Sequence, residues 1–206
     1  MQRQVALALA LSAVAVLLYV APPIGEGEGE GDAPYSAPDW LDQMNAFLQE
    51  WDDMNQINAA SDPNVYAFLR MLRVSEGTAG PDGYRTLVGG RLFDSFADHP
   101  RQLVWIPNLG INSSAAGAYQ ILRKTWDGVR EKLALPDFSP LSQDAAAIEL
   151  IRQRGALADV RAGRFAVAIQ KCRKEWASLP GAGYGQRENS MARLETAYRQ
   201  AGGVVA

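Results

Sequence analysis

Residues 61–78, SDPNVYAFLRMLRVSEGT, leave little choice in how they fold. Asp62 is a good N-cap, because its carboxylate can accept from the first free backbone N–H groups of a helix. Pro63 suits the first helical position, where a missing donor does no harm. Gly77 offers the left-handed residue on which such a helix ends with least strain. Between these marks Val65, Leu69 and Leu72 recur at spacings of four and three and share one face, which Phe68 widens. Glu76 falls four residues after Leu72, on that apolar face and at the C-terminal end of the helix. Burial disfavours its ionised form, and so does the negative end of the helix dipole. Both push its pKa up, as a carboxylic acid requires if it is to hold a proton near neutral pH. The competing reading is a frayed helix end with Glu76 turned to water.

The chain has 206 residues, 48% of them apolar, enough for one sizeable core with an appendage. Its net charge is −3 and it has no basic block, which argues against a nucleic-acid surface. With one His and one Cys, a zinc site of the usual Cys/His kind is excluded on ligand count, and no metal or cofactor is expected. Cys172 has no partner for an intrachain disulfide and reads as a buried apolar residue. His99, beside Pro100, reads as a locally hydrogen-bonded loop residue, so a Cys–His or Ser–His–Asp site has nothing pointing to it.

Residues 5–21, VALALALSAVAVLLYVA, carry no charge. Seventeen residues at a rise of ~1.5 Å span ~26 Å, slightly short of a ~30 Å hydrocarbon core. A cleaved signal peptide and an uncleaved signal anchor both fit. Tyr19 is too large for a cleavage motif ending at Ala21, and Pro22 follows at once, which favours the anchor. Arg3 precedes the span and acidic residues follow it, so the N-terminus is expected in the cytoplasm and the remainder across the membrane. Residues 22–38, rich in Gly, Glu and Pro, form a linker that cannot build a core and that its like charges keep extended. Within 39–60, an amphipathic helix is expected over 39–58, with Trp40, Met44, Phe47, Trp51 and Met54 on one side. Its many acidic residues argue against an anionic membrane and for packing on the domain that follows.

Residues 79–90 are rich in turn signals around Pro81-Asp82-Gly83, with a short strand expected over 84–88 before Gly89-Gly90. Residues 105–114 read as a loop. From Ala115 the chain turns helical, with Ile121, Trp126, Val129 and Leu133 as an inner face. Further helices are expected over 142–155, 164–177 and 191–200. The fold class is α+β, mostly α, with a small sheet beside the helix that carries Glu76.

The order of SEGTAGPDGYRTLVGGRLFDSFADHPRQL, SSAAGAYQIL, LPDFSPLSQDAAAIELI, RGAL and WASLPGAGYGQ closely resembles the phage lambda lysozyme family, over about residues 63–203. Any one of these motifs is weak; five in the same order are specific. The resemblance implies a lysozyme-like catalytic domain over 61–206 and an endolysin that cuts peptidoglycan as a lytic transglycosylase. The resemblance does not reach residues 1–60. With the anchor read at 5–21, the catalytic domain is expected in the periplasm at the host inner membrane, as a monomer, and the resemblance to phage endolysins implies that such a weak anchor can be released. By the same resemblance Glu76 is the catalytic acid/base, and Tyr84, Ser114, Tyr119, Gln120, Tyr184 and Gln186 meet the substrate. The segments 105–114 and 179–186 are then the two lips of a saccharide groove. Ala118 stands where the family usually has arginine, and the stretch from Glu76 to Gly90 is shorter than the family's.

Two alternatives stand beside this reading. One is a hydrolytic muramidase, which would use a second carboxylate; Asp82, Asp94 and Asp98 are the candidates. The other is an inactive, membrane-tethered wall-binding or virion protein.

Overall fold

The computed structural model describes residues 62–107 and 109–206. The anchor, the linker and the helix expected over 39–58 lie outside the described residues. Among those described, no helix is long and apolar enough to cross a membrane.

Helix α1, Pro63–Ser75, begins and ends where its sequence marks it. The Asp62 carboxylate accepts from Asn64 N at 2.8 Å and Val65 N at 3.3 Å. At the other end Gly77 takes φ +74°, Thr78 N donates to Arg73 O at 2.8 Å and Gly77 N to Val74 O at 3.3 Å. These two bonds form a Schellman turn, which answers carbonyls the helix itself leaves open. Burial is broader than one stripe: Val65, Ala67, Phe68, Leu69, Met71 and Leu72 are all buried.

The chain continues through a 3₁₀ turn, Gly83–Arg85, and strands β1, Val104–Ile106, and β2, Ile111–Ser113. Helices α2, Arg123–Leu133, α3, Pro140–Gln153, α4, Leu157–Arg161, α5, Phe165–Cys172, and α6, Met191–Gln200, follow. Helices α3, α4 and α6 pack on α1. Phe68 of α1 meets Phe165 and Tyr198 edge-on at ring separations of 6.3 and 6.5 Å. A second aromatic group joins Trp126, His99 and Phe93 around the fully buried Phe138. The mostly helical class is as expected, with the sheet reduced to one antiparallel pair in which Trp105 faces Asn112.

Four expectations are corrected. Residues 84–88 are not a strand: after the 3₁₀ turn, Thr86 and Leu87 make single bridges to Leu92 and Ala116. Gly89 and Gly90, at φ +84° and +89°, turn the chain back before a ladder can extend. The segment 105–114 is not a plain loop but most of the β1–β2 hairpin, because β-branched and aromatic residues flank its turn. The helix after Ala115 starts only at Arg123, since Gly117 at φ +78° and Gln120 at φ +48° fold the intervening residues into a turn. Helix α5 also stops at Cys172, five residues short of the expected 177.

Candidate active site

Glu76 is the cap residue of α1, helical in backbone (φ −81°, ψ −4°), with its N–H still bonded to Leu72 O at 2.9 Å. Its side chain is therefore aimed by the last turn of a buried helix. Ser178 Oγ donates to Glu76 Oε1 at 2.6 Å. Burial raises the Glu76 pKa to about 7, with the Ser178 bond pulling the other way. The carboxyl thus keeps its proton near neutrality because of desolvation, the first cause read from the sequence.

Three motifs far apart in the chain meet around this group. Ser75 and Ser178 hydroxyls lie 2.7 Å apart, and Asn189 Nδ2 donates to Ser75 O, Ser75 Oγ and Ser178 O at 3.1, 3.2 and 3.3 Å. Thr78 Oγ1 donates to Ala118 O at 2.5 Å, and Gly117 N to Thr86 O at 2.8 Å. Trp176 Nε1 donates to Tyr119 O at 3.1 Å. The segments SEGT, GAYQ and WASLPG are in this way tied to one another by buried polar groups. Arg73, buried on α1, donates to Thr78 O and Gly80 O and lies 4.5 Å from the centre of the Tyr84 ring.

The GAYQ turn depends on Gly117. A Cβ on its left-handed backbone would overlap Gln143 Oε1 and crowd the Phe138 ring. Gly117→Ala is expected to destabilise the fold by about 2–4 kcal/mol, from backbone strain together with displacement of Gln143. Urea unfolding of the two proteins side by side checks this; an unchanged midpoint would show that the turn relaxes freely.

The residues expected to meet substrate fall into distinct places. Gln120 lies in the turn, its amide nitrogen donating to Thr86 O at 3.1 Å and Gly117 O at 2.9 Å. Its donors thus tie the turn to itself and to the Thr86 segment, leaving Oε1 as the group available to a ligand. Tyr119 is a correction: it is 1% exposed and donates its hydroxyl to Asp144 at 2.6 Å, so it supports the turn from the core and offers no face to a sugar. Tyr84, half-buried, donates to the same carboxylate oxygen at 2.8 Å. Ser114 is also a correction, being buried with its Oγ accepting from Arg123 N at 3.1 Å. It supplies the cap that Leu122, at the start of α2, cannot.

Tyr184 and Gln186 are exposed on the glycine-rich segment, with the Tyr184 hydroxyl donating to Lys174 O at 3.2 Å. That segment is braced: Glu188 accepts from Gly181 N and Gly183 N, both at 2.7 Å. Trp105, 56% exposed on β1, and Ile111, exposed on β2, lie on opposite faces of the hairpin.

Sequence reasoning missed Ser75, Ser178, Asn189, Gln143 and Asp144. The two serines were legible as neighbours within SEGT and WASLPG. Asn189 and Asp144 carried no signal, because each acts on segments distant in sequence. Burial raises the Asp144 pKa, and the two tyrosine hydroxyls that bond it pull it down.

Of the three acids considered as a second carboxylate, Asp98 is engaged by other side chains and Asp82 and Asp94 are exposed. Asp98 accepts from Trp126, Arg130 and Arg101; desolvation works to raise its pKa, but the bonds from Arg101, Trp126 and the His99 backbone hold it down at about 2. Asp94 is fully exposed and pairs with Arg85 at 3.5 Å. Asp82 is exposed ahead of the 3₁₀ turn. His99 is buried between Arg101 N and Ile121 O, its pKa lowered chiefly by burial. Cys172 is fully buried, and burial pushes its thiol up to about 12. Neither is a nucleophile at neutral pH. Among the described residues no cluster of His, Cys, Asp and Glu could hold a metal ion.

A family profile described as Endolysin matches residues 66–205. The chain belongs to the endolysin family. This endolysin is 52% identical over 157 residues to an endolysin of Escherichia phage P2, with 69% of this chain and 95% of that protein covered. It is 48% identical over 145 residues to an endolysin of Escherichia phage lambda, with 68% and 91% covered. Its fold is like that of bacteriophage lambda lysozyme in complex with a chitohexasaccharide, at a TM-score of 0.67 and 45% identity, over 70% of this chain and 97% of that one. A second structure, lysozyme from bacteriophage lambda, matches at a TM-score of 0.64 with the same identity and coverage. The family expected from the order of motifs is therefore the right one, and this endolysin has the lambda lysozyme fold.

Proposed function

We propose that this endolysin cleaves the β-1,4 bond between N-acetylmuramic acid and N-acetylglucosamine in peptidoglycan as a lytic transglycosylase, for host cell lysis. Endolysins are peptidoglycan-cleaving enzymes, and the observation that carries the finer reading is Glu76, a part-buried carboxyl holding its proton to about pH 7. A glycosidic oxygen leaves poorly until it is protonated, and such a carboxyl can protonate it at neutral pH. Once ionised, the same group takes the proton of the muramoyl C6 hydroxyl. That hydroxyl attacks C1 and closes the 1,6-anhydro ring. Attack from within the substrate needs no bound water and no second carboxylate. Of the candidates for a hydrolytic partner, Asp98 is taken up by Arg101, Trp126 and Arg130, which supports this reading over hydrolysis through that residue.

Glycan binding is supported by the related lambda lysozyme, whose structure holds a chitohexasaccharide. Gln120 Oε1, the Tyr84 ring, and Tyr184 with Gln186 are the contacts expected on either side of Glu76. Residues 5–21 are read as a membrane anchor that holds the enzyme on the periplasmic face of the inner membrane.

Mass spectrometry of muropeptides from digested, purified peptidoglycan tests the reaction. Products ending in 1,6-anhydromuramic acid are expected. Reducing ends carrying an added water would mean hydrolysis and overturn the proposal.

A further inference from the structure

The groups behind Glu76 form a chain with only one workable direction. Asn189 Nδ2 donates to two carbonyl oxygens, Ser75 O and Ser178 O, which fixes the nitrogen end of its amide toward the serines. That nitrogen also lies 3.2 Å from Ser75 Oγ, which shares one of its two protons with a carbonyl, and an NH₂ group cannot accept in return. At the other end Ser178 gives its single proton to Glu76 Oε1 at 2.6 Å. The 2.7 Å contact between the two serines must then be a donation from Ser75 to Ser178. Reversing the serine–serine link would leave the Ser75 proton without an acceptor in the chain.

We propose that Asn189 and Ser75 are positioning residues for the reaction: the one-way relay from Asn189 through Ser75 and Ser178 keeps Glu76 Oε1 an acceptor, so that the exchangeable proton rides on Oε2. The inference deepens the reading of Glu76 as the acid and rests on it. Oε1 points into the relay and Oε2 is left for the glycosidic oxygen, so the proton is held on the oxygen that must deliver it. The relay also favours the carboxylate, because each donor polarises the next. Burial has raised the pKa of this group, and the relay keeps it from rising further, within reach of both halves of the reaction.

Charged groups on the surrounding elements are turned elsewhere. Arg73 of α1 serves the Thr78 and Gly80 carbonyls, Asp144 of α3 the two tyrosines, and Glu188 the amides of Gly181 and Gly183. Asn189 lies three residues past Gln186, the end of the glycine-rich segment, and also donates its backbone N–H to Ser178 O at 2.8 Å. The relay therefore starts at the root of the segment that carries Tyr184 and Gln186.

Asn189→Asp, made in the full chain, keeps the shape of the side chain and puts an acceptor where the relay needs a donor. Carboxyl-labelled glutamate followed by NMR gives the Glu76 titration, assigned by the signal missing from Glu76→Gln. The Glu76 midpoint is expected to rise by about one pH unit. The alkaline limb of kcat on peptidoglycan should follow it, with KM little changed. At neutral pH kcat should fall roughly tenfold, because the proton is drawn to Oε1. Ser75→Ala adds no charge and should shift the midpoint in the same direction, which separates the relay from simple repulsion by the introduced carboxylate. Ser75→Thr keeps the hydroxyl and should restore the wild-type titration. A wild-type midpoint in both Asn189→Asp and Ser75→Ala overturns the relay. A shifted midpoint with an unmoved pH–activity profile supports the relay and overturns instead the assignment of Glu76 as the acid.

Discussion

Glu76→Gln is expected to reduce kcat on peptidoglycan on the order of 10³-fold or more while leaving glycan binding intact. Glutamine fills the same space and can still accept from Ser178, but it has no proton to give to the leaving oxygen. The same substitution should stabilise the fold at alkaline pH. Folded Glu76 holds its proton to about pH 7, against 4.5 for an ordinary glutamate, so the folded state binds more protons across that window. Wild-type stability should therefore fall as pH rises from about 4.5 to about 7 and stay lower above it. The loss is on the order of 2–3 kcal/mol and should be missing from Glu76→Gln. Urea unfolding at pH 5 and pH 8, with a turbidity assay on purified cell walls, reads both effects. Full lytic activity in the variant would end the assignment of Glu76, and parallel pH dependence in the two proteins would end the account of its burial.

Gln143→Leu is expected to be the most destabilising single change near the site. Gln143 is fully buried on α3, and one amide serves three segments. Its Oε1 accepts from Ala118 N at 2.8 Å, and its Nε2 donates to Phe138 O at 2.7 Å and Tyr84 O at 3.0 Å. Leucine has similar volume but leaves an amide N–H and two carbonyls without these partners. Each unmatched buried group costs about 1–3 kcal/mol, so a total of roughly 3–5 kcal/mol is expected. That is a large part of the ~5–15 kcal/mol that holds a typical domain together. Activity should fall even where the variant remains folded, because the GAYQ turn and the Tyr84 segment lose their common support. Calorimetry and the same turbidity assay test this. A melting temperature within a degree or two of wild type would show that water takes over the three bonds.

Local chemistry was legible before the fold was known. Asp62, Pro63 and Gly77 mark the ends of α1 through backbone geometry that any isolated segment would share, and the structure keeps all three in those roles. The place of Glu76 on an apolar face follows from helical periodicity alone, and burial does raise its pKa. Trp126 and Cys172 could be assigned to the core from composition and spacing, and both are fully buried. The reading failed where one residue type has two uses. Tyr119 and Ser114 sit in motifs that resemble a binding site, yet one anchors to Asp144 and the other caps α2. Nothing local distinguishes a tyrosine that meets a sugar from one that holds up the loop beneath it.

The sequence by itself determined the helix that carries Glu76, the mostly helical class and, through the order of its motifs, the family. Each of these depends on neighbours along the chain or on residue types in order. Only the tertiary structure decided what stands behind the carboxyl. Ser178 lies 102 residues from Glu76, and Asn189 lies 114 from Ser75. Hydrogen bonds over such separations follow from how helices pack, and packing sums many weak, non-local contacts that no spacing pattern records.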